Sequence, residues 1–114
     1  LNKRVTSEDH LRVNINNQRF ELESLPLLTN QNVFNRDTKK SGRVTGRYLV
    51  VLEENSDQVF DILNSRFKLV RVSANIYRIR SESDWELLKI YKIILNTKGV
   101  KRVEMEIDYS TPRK

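Results

Sequence analysis

Three carboxylates stand at every second position near the end of the chain: Glu104, Glu106 and Asp108. In a β-strand, residues two apart lie on the same face, about 6.6 Å from each other. Carboxylates paired in this way could perform acid–base chemistry. The same row could instead be the solvated outer face of a sheet, or it could meet positive charge on a partner, such as the amino end of a helix.

The other residues that could support catalysis are few. The chain has no cysteine and one histidine, His10, which stands beside Glu8 and Asp9 in a polar start. A general base needs a fixed partner and a pocket, so we predict a surface histidine. Zinc ligation would depend on carboxylates alone, and residues 41–46 have only two glycines and lack the lysine of a phosphate-binding loop. We therefore expect no enzymatic activity, no cofactor and no metal site.

The net charge of the chain is +6, with 21 Lys and Arg residues and 15 Asp and Glu residues. Charge of mixed sign is the usual solubilising surface. In an alternative hypothesis the chain is a basic nucleic-acid-binding or protein-interaction module that uses Arg71, Arg78 and Arg80, with Tyr48 and Tyr77 as base-stacking platforms. The glycine–aromatic motif of RNA-binding sheets is missing. No apolar run is long enough to span a bilayer, so we expect no membrane partner.

Residues 47–109 carry apolar patterns in the order strand, helix, strand, strand, helix, strand. Strands are predicted where β-branched and aromatic residues form a short apolar run or alternate with charged residues. The predicted strands are 48–52, 69–72, 76–79 and 103–109. This order predicts an α+β fold: a ferredoxin-like βαββαβ antiparallel sheet with two helices on one face.

Two helices are predicted between these strands. In the first, Val59, Phe60 and Leu63 lie on one helical face. In the second, a capping box of Ser83 and Glu86 precedes apolar residues at three- and four-residue spacing. Both patterns are typical of helices that bury one side against a sheet.

A β-hairpin is predicted in residues 1–28 as an N-terminal accessory. Apolar and polar residues alternate over 11–15, turn residues follow at 16–18, and the alternation then resumes. One isolated hairpin is marginal in water. We therefore expect the hairpin to pack on the main domain through the leucines of residues 25–28.

The rest of the chain divides into three parts. The polar residues 29–46 predict a linker, residues 47–109 form the main domain, and residues 110–114 form a C-terminal tail. The tail is either a terminus without fixed structure or an extended peptide that lies in a partner's groove as an added strand. Because the chain begins at Leu1 rather than Met, we expect a fragment or a processed form.

Three short segments of the main domain share their pattern with a known family. They are Gly46-Arg47-Tyr48-Leu49-Val50-Val51-Leu52, Ile76-Tyr77-Arg78-Ile79 and Gly99-Val100-Lys101-Arg102-Val103-Glu104-Met105-Glu106. Together with the first helix, they resemble the propeptide domains of subtilisin-like serine proteases. In that family a final strand of the "Val-x-x-Val-Glu-x-Asp" kind is followed by an extended tail that enters the active-site cleft of the protease. The resemblance covers residues 46–114.

This resemblance implies an intramolecular chaperone that then inhibits its own protease temporarily, in a secreted protein or the secretory pathway. The outer sheet face would pack on two parallel helices of the cognate subtilisin-like protease domain, with Glu104 and Glu106 at their amino ends. Asp108 is a further candidate for the same role. A carboxylate near exposed helix N–H groups gains about 0.3–2 kcal/mol. The residues implied to lie in the substrate subsites, as a cleaved product does, are Tyr109, Ser110, Thr111, Pro112, Arg113 and Lys114.

Overall fold

A seven-stranded antiparallel sheet and two helices make up residues 11–54 and 57–110, which the computed structural model describes. The elements are β1 (Arg12–Ile15), β2 (Gln18–Leu22), β3 (Asn32–Asn35), β4 (Lys40–Leu52), α1 (Asp57–Phe67), β5 (Val70–Ser73), β6 (Ile76–Arg80), α2 (Leu87–Leu95) and β7 (Val100–Asp108). Every described strand pairing is antiparallel. The predicted α+β class is confirmed, but the sheet is larger than the four strands predicted for it.

The longest strand, β4, joins the two halves of the sheet. It has 13 residues; its first part pairs with β3 and its second part with β6. Arg43 is paired with both β3 and β7, and Tyr48 is paired with both β6 and β7. Strand β7 therefore lies along one edge of β4, while β3 and β6 lie along the other. The resulting order is β1-β2-β3-β4-β6-β5, with β7 on the other side of β4.

The predicted linker 29–46 needs correction, because it contains β3 and the beginning of β4. Although this segment is polar in composition, one face of it is buried: Val33 is 2% exposed, and Val44 and Asn35 are fully buried. The amide nitrogen of Asn35 donates to Gln18 Oε1 at 2.9 Å, which satisfies a polar group in the core. The hairpin is therefore part of one continuous sheet, and β3 is the strand that connects it.

The turn between β1 and β2 lies where the sequence predicts it. Asn16 and Asn17 have φ angles of 56° and 63°, as a type I′ hairpin turn requires. The Asn16 side chain also donates to the Met105 carbonyl and accepts from the Met105 N–H, each at 2.8 Å. The Asn16 N–H donates to the Tyr91 hydroxyl at 2.9 Å. The tip of the hairpin thus holds the edge of β7 that faces away from β4.

Gly46 stands where β4 leaves β3 and begins to pair with β6. Its φ is +87°, and the β4–β7 register shifts between Val44 and Tyr48. A Cβ atom at Gly46 would lie 2.7 Å from Ser81 Oγ and 2.8 Å from Thr29 Oγ1. A residue with a side chain would therefore be strained there both in conformation and in space.

The core lies between one face of the sheet and the two helices. The buried strand residues of the main domain are Tyr48, Val50, Leu52, Ile79, Val103 and Met105. The buried helix residues are Leu63, Phe67, Leu87, Leu88, Tyr91 and Ile94. Burying a large apolar side chain stabilises a fold by about 1.5–3 kcal/mol. Since both helices share this core, they cover the same face of the sheet and leave the opposite face open.

The start of α2 differs from the predicted capping box. Glu86, not Ser83, is the N-cap, and its carboxylate accepts from the N–H groups of Leu88 and Lys89 at 3.2 and 3.0 Å. Glu86 Oε2 also accepts from the Leu27 N–H at 2.9 Å. Among the leucines expected to anchor the hairpin, Leu27 is fully buried. A carboxylate with a partner 59 residues away cannot be recognised from local spacing.

Candidate partner-binding surface

The open sheet face is the side of β4–β7 that the helices leave uncovered. Strand pairing arranges its side chains in rows across the sheet. One row is Val70, Arg78, Leu49 and Glu104, and the next is Ile76, Val51 and Arg102. In a third row, Arg80 stands opposite Arg47, whose guanidinium reaches Glu106. The face therefore has an apolar centre, an acidic side on β7 and a basic side on β6.

A shallow depression of ≈ 250 Å³ lies at the centre of this face, lined in part by Leu49, Arg78, Glu104 and Glu106. Leu49 is half-buried, while the three charged side chains are exposed. An apolar centre with a charged rim is the usual anatomy of a surface that binds another protein. The structure thus places Glu104 and Glu106 beside apolar surface that a partner could cover.

Each carboxylate of β7 has an arginine of the same chain beside it. The pairs are Glu104 with Arg102 at 3.7 Å, Glu106 with Arg47 at 3.5 Å, and Asp108 with Arg43 at 3.0 Å. All three pairs are at least one-third exposed, and such pairs contribute about 0–1 kcal/mol. The acidic row is therefore compensated within the chain, by ion pairs that each contribute little free energy.

The last residues of β7 are held in place by local and cross-strand bonds. Asp108 Oδ1 accepts from the Ser110 N–H at 2.9 Å and also from the Ser110 hydroxyl. These bonds, followed by the charge of Arg43, hold the pKa of Asp108 below its ordinary value. The Tyr109 hydroxyl accepts from Asn35 Nδ2 at 3.0 Å. The Tyr109 ring packs over Gly42, where a Cβ would lie 2.9 Å from Cδ1.

The predicted site residues fall into three groups. Glu104, Glu106 and Asp108 share one face of β7, as the alternation predicts. Tyr109 and Ser110 bond to their own chain at the end of that strand. The rest of the predicted tail, residues 111–114, and His10 lie outside the described residues. The structure thus brings the acidic row and the exit of the chain together at one side of the open sheet face.

The aromatic residues of the nucleic-acid hypothesis do not form an exposed platform. Tyr48 is 1% exposed, and its hydroxyl donates to the Leu87 carbonyl at 2.7 Å. Burial, and then the charge of Glu86, raises the pKa of Tyr48 above its ordinary value. Tyr77 packs on Phe60 of α1, with 5.1 Å between ring centroids. Both rings face the helices, so neither can stack on a base at the open sheet face.

The structure also bears on metal binding and on membrane insertion. Among the described residues, no group of three or more His, Cys, Asp and Glu side chains is arranged to hold a metal ion. In the same part of the chain, no helix is long and apolar enough to cross a membrane.

The sequence did not single out Arg43, Arg47 and Asn35 as parts of this surface. Arg47 directly precedes the continuous apolar run 48–52, and since neighbouring residues of a strand point to opposite faces, Arg47 would lie on the face opposite Tyr48. Arg43 and Asn35 fall in the polar segment that was predicted as a linker, and no local pattern marks them. Their partners, Asp108 and Tyr109, lie 65 and 74 residues further along the chain.

The chain matches no family model and no curated protein. It does match a solved structure, the complex of the Aeromonas sobria serine protease with the chaperone called ORF2. The TM-score is 0.65, the identity is 19%, and the match covers 90% of this chain and 98% of the chain in that complex. At this identity the likeness establishes a shared fold, and it includes nearly all of the other chain.

Proposed function

We propose that this chain is a chaperone and temporary inhibitor of a subtilisin-like serine protease. The observation that carries the proposal is the fold shared with a chain of a protease–chaperone complex, matched over 98% of that chain. Because the match covers nearly all of both chains, the two chains have similar lengths. We take the matched chain to be the chaperone of that complex. The resemblance of segments 46–52 and 99–106 to subtilisin propeptides supports the same kind of partner from the sequence, separately from the shared fold.

We further propose that β4–β7 and the two helices form a ferredoxin-like core. Along the chain these elements follow the order strand, helix, strand, strand, helix, strand. Across the sheet the order is β7-β4-β6-β5, with the split βαβ arrangement of that fold. In this view β1–β3 are an extension that lengthens the sheet along β4.

The open sheet face is the proposed contact with two helices of the protease. Leu49 and Val51 supply apolar surface in its centre, and Glu104 and Glu106 reach the amino ends of the partner helices. Each such carboxylate gains about 0.3–1 kcal/mol from the helix dipole. Breaking their ion pairs with the neighbouring arginines loses little free energy, because exposed ion pairs contribute about 0–1 kcal/mol.

Asp108 and Tyr109 have a different role in this proposal. Both are bonded to their own chain, so they fix the direction in which the chain leaves β7. Ser110 and the residues after it then lie as an extended strand in the protease cleft. Inhibition in this mechanism requires no catalytic group of this chain, and the partner would belong to the secretory pathway.

The first test measures the inhibition and the refolding of a panel of subtilisin-type proteases. The full chain is compared with a version that ends at Tyr109. We expect the shorter version to inhibit at least about 100-fold more weakly, because the tail loses several backbone hydrogen bonds of about 0.5–1.5 kcal/mol each. Equal inhibition by both versions would contradict the proposed position of the tail.

The chaperone role needs its own readout. A protease domain is denatured and returned to refolding conditions with the full chain, with the shorter version or alone. We expect both versions to raise the yield of active protease, once the full chain has been digested, because the open sheet face is intact in both. A yield no higher than that of the protease alone, across the panel, would contradict the role in folding.

A further inference from the structure

A second charged surface adjoins the open sheet face at the β5 edge, where α1 ends and β5 and β6 run beside it. We call it the basic groove; it has a volume of ≈ 430 Å³, and its lining includes Arg66, Lys68, Arg78, Arg80, Val70 and Trp85. Glu82 is the only acidic residue in the described lining. Four positive charges and one negative charge therefore surround this groove.

Unlike the arginines beside β7, the cations of the groove have no carboxylate partner among the described residues. None of Arg66, Lys68, Arg78 and Arg80 forms a salt bridge within the part of the chain that the structure describes. All four residues are exposed. Like charges held around one groove repel one another and attract anions. The groove is therefore a surface whose charge is left for another molecule to compensate.

The floor of the groove is apolar. Val70 is 50% exposed, and the half-buried Trp85 packs edge-on against Phe67 with 5.8 Å between ring centroids. The guanidinium of Arg66 lies over the Phe67 ring, 5.4 Å from its centroid. A ligand that fits this floor carries an apolar group in addition to its negative charges.

We propose that the basic groove binds an acidic peptide segment of the partner protein. Its carboxylates pair with Arg78 and Arg80, and a neighbouring apolar side chain packs against Val70 and Trp85. Arg78 also lines the depression at the centre of the open sheet face. The two surfaces are continuous, so one partner can reach both. That this partner is a protease rests on the proposed function, whereas the recognition of an acidic segment does not.

A peptide fits the groove better than a nucleic acid does. Trp85 is half-buried and packs edge-on against Phe67 at an interplanar angle of 71°, so only part of its ring is open, which suits an aliphatic side chain better than a stacked base. Glu82 in the lining and the row of Glu104 and Glu106 on the adjoining face repel a continuous phosphate backbone. A peptide can place its few carboxylates at the cations alone.

Trp85 is the only tryptophan of the chain and lines the groove, so its fluorescence reports directly on occupancy. The probe is a capped eight-residue peptide of alternating glutamate and leucine, titrated into the full chain. The matched control peptide has glutamine in place of glutamate. We expect the acidic peptide to change the Trp85 emission saturably and to bind more weakly as salt is added, because the contact is electrostatic.

The variants locate the contact. Arg78→Gln with Arg80→Gln should weaken binding at least about tenfold, since a hydrogen bond to a charged group contributes on the order of 1.5–3 kcal/mol. The matched control, Arg12→Gln with Lys92→Gln, also removes two exposed positive charges but lies outside the groove, and should change affinity less than about twofold. If the first variant does not fold, Arg66→Gln with Arg80→Gln replaces it.

Several outcomes would overturn the inference. They are an unchanged Trp85 emission, equal binding of the glutamine peptide, equal losses in the two variants, and tighter binding of single-stranded octathymidylate than of the acidic peptide. The proposed function fails separately. Tail-dependent protease inhibition without peptide binding would contradict only the groove, and peptide binding without inhibition of any protease would contradict only the protease partner.

Discussion

The two edges of the main domain, β7 and β5, are built in opposite ways. The β7 edge is bound by Asn16 of the hairpin turn, and its carboxylates pair with arginines of the same chain. The β5 edge is a four-residue strand whose residues are all exposed, and the cations beside it form no salt bridge with any residue in 11–54 or 57–110. Under the two proposals above, the edge that directs the tail is fixed internally, while the other edge keeps its charge and apolar surface for a partner.

The largest expected effect comes from releasing the β7 edge at Asn16. Asn16→Ala removes two hydrogen bonds to Met105 and places alanine at a φ of 56°. We expect a loss of about 2–4 kcal/mol in the free energy of unfolding, from two hydrogen bonds and the left-handed conformation. Chemical denaturation measures it.

The matched control for that change is Asn17→Ala, in the same turn. Asn17 also has a positive φ of 63°, but in residues 11–54 and 57–110 its side chain has no hydrogen bond to the sheet. It should lose only the conformational part, about 1–2 kcal/mol. Equal destabilisation of the two variants would mean that the contact with β7 contributes nothing.

The acidic side of the open sheet face is tested by Glu104→Gln with Glu106→Gln. We expect affinity for an inhibited protease to fall about 3- to 30-fold, because two helix-capping charges of about 0.3–1 kcal/mol each are lost. Glu53→Gln with Glu54→Gln removes the same charge just after β4. Titration calorimetry with both variants compares them, and an equal loss would show that net charge alone is responsible.

The anchor of the chain exit is tested by Tyr109→Phe. The variant loses the hydrogen bond from Asn35, which keeps its bond to Gln18. The free energy of unfolding should fall by about 0.5–1.5 kcal/mol. Tyr77→Phe removes a hydroxyl that has no hydrogen bond within the described residues, and it should change stability less. A Tyr109→Phe variant as stable as Tyr77→Phe would contradict the anchoring role.

A smaller effect is expected from Asp108 as the pH is lowered. Its pKa is depressed in the folded chain, so its contribution to stability is present above the unfolded pKa of about 3.9 and is lost as the pH falls through the folded value. Asp108→Asn should therefore lower stability slightly at neutral pH and flatten the pH dependence below about pH 5. Thermal unfolding between pH 2 and pH 7 measures it; a profile parallel to that of the parent would contradict it.

The smallest effect is expected at the β5 edge. Arg78→Gln with Arg80→Gln should change the free energy of unfolding by less than about 0.5 kcal/mol, since neither side chain has an ion-pair partner among the described residues. A stabilised variant would indicate that repulsion in the groove is substantial. Strong destabilisation would contradict the view that this edge is left for a partner.

Much of the main domain could be predicted from local patterns. The alternation of Val103, Met105 and Ile107 with charged residues indicated both β7 and the face on which its acids lie. The tight turn before Ile76 was also predicted correctly. The predicted linker was wrong because Asn35 and Gly42 are poor strand formers with partners far along the chain. The side-chain nitrogen of Asn35 donates to Gln18 and Tyr109, and Gly42 lies against Ile107 and Tyr109.

The sequence by itself determined the α+β class, the order of elements in the main domain, and the row of acids that makes β7 a candidate binding strand. Only the tertiary structure decided what those acids touch. Glu106 and Arg47 are 59 residues apart in sequence, and Asn16 and Met105 are 89 apart. Side-chain periodicity depends on a few adjacent residues, whereas the pairing of charges depends on strand register across the whole sheet, which no local pattern contains.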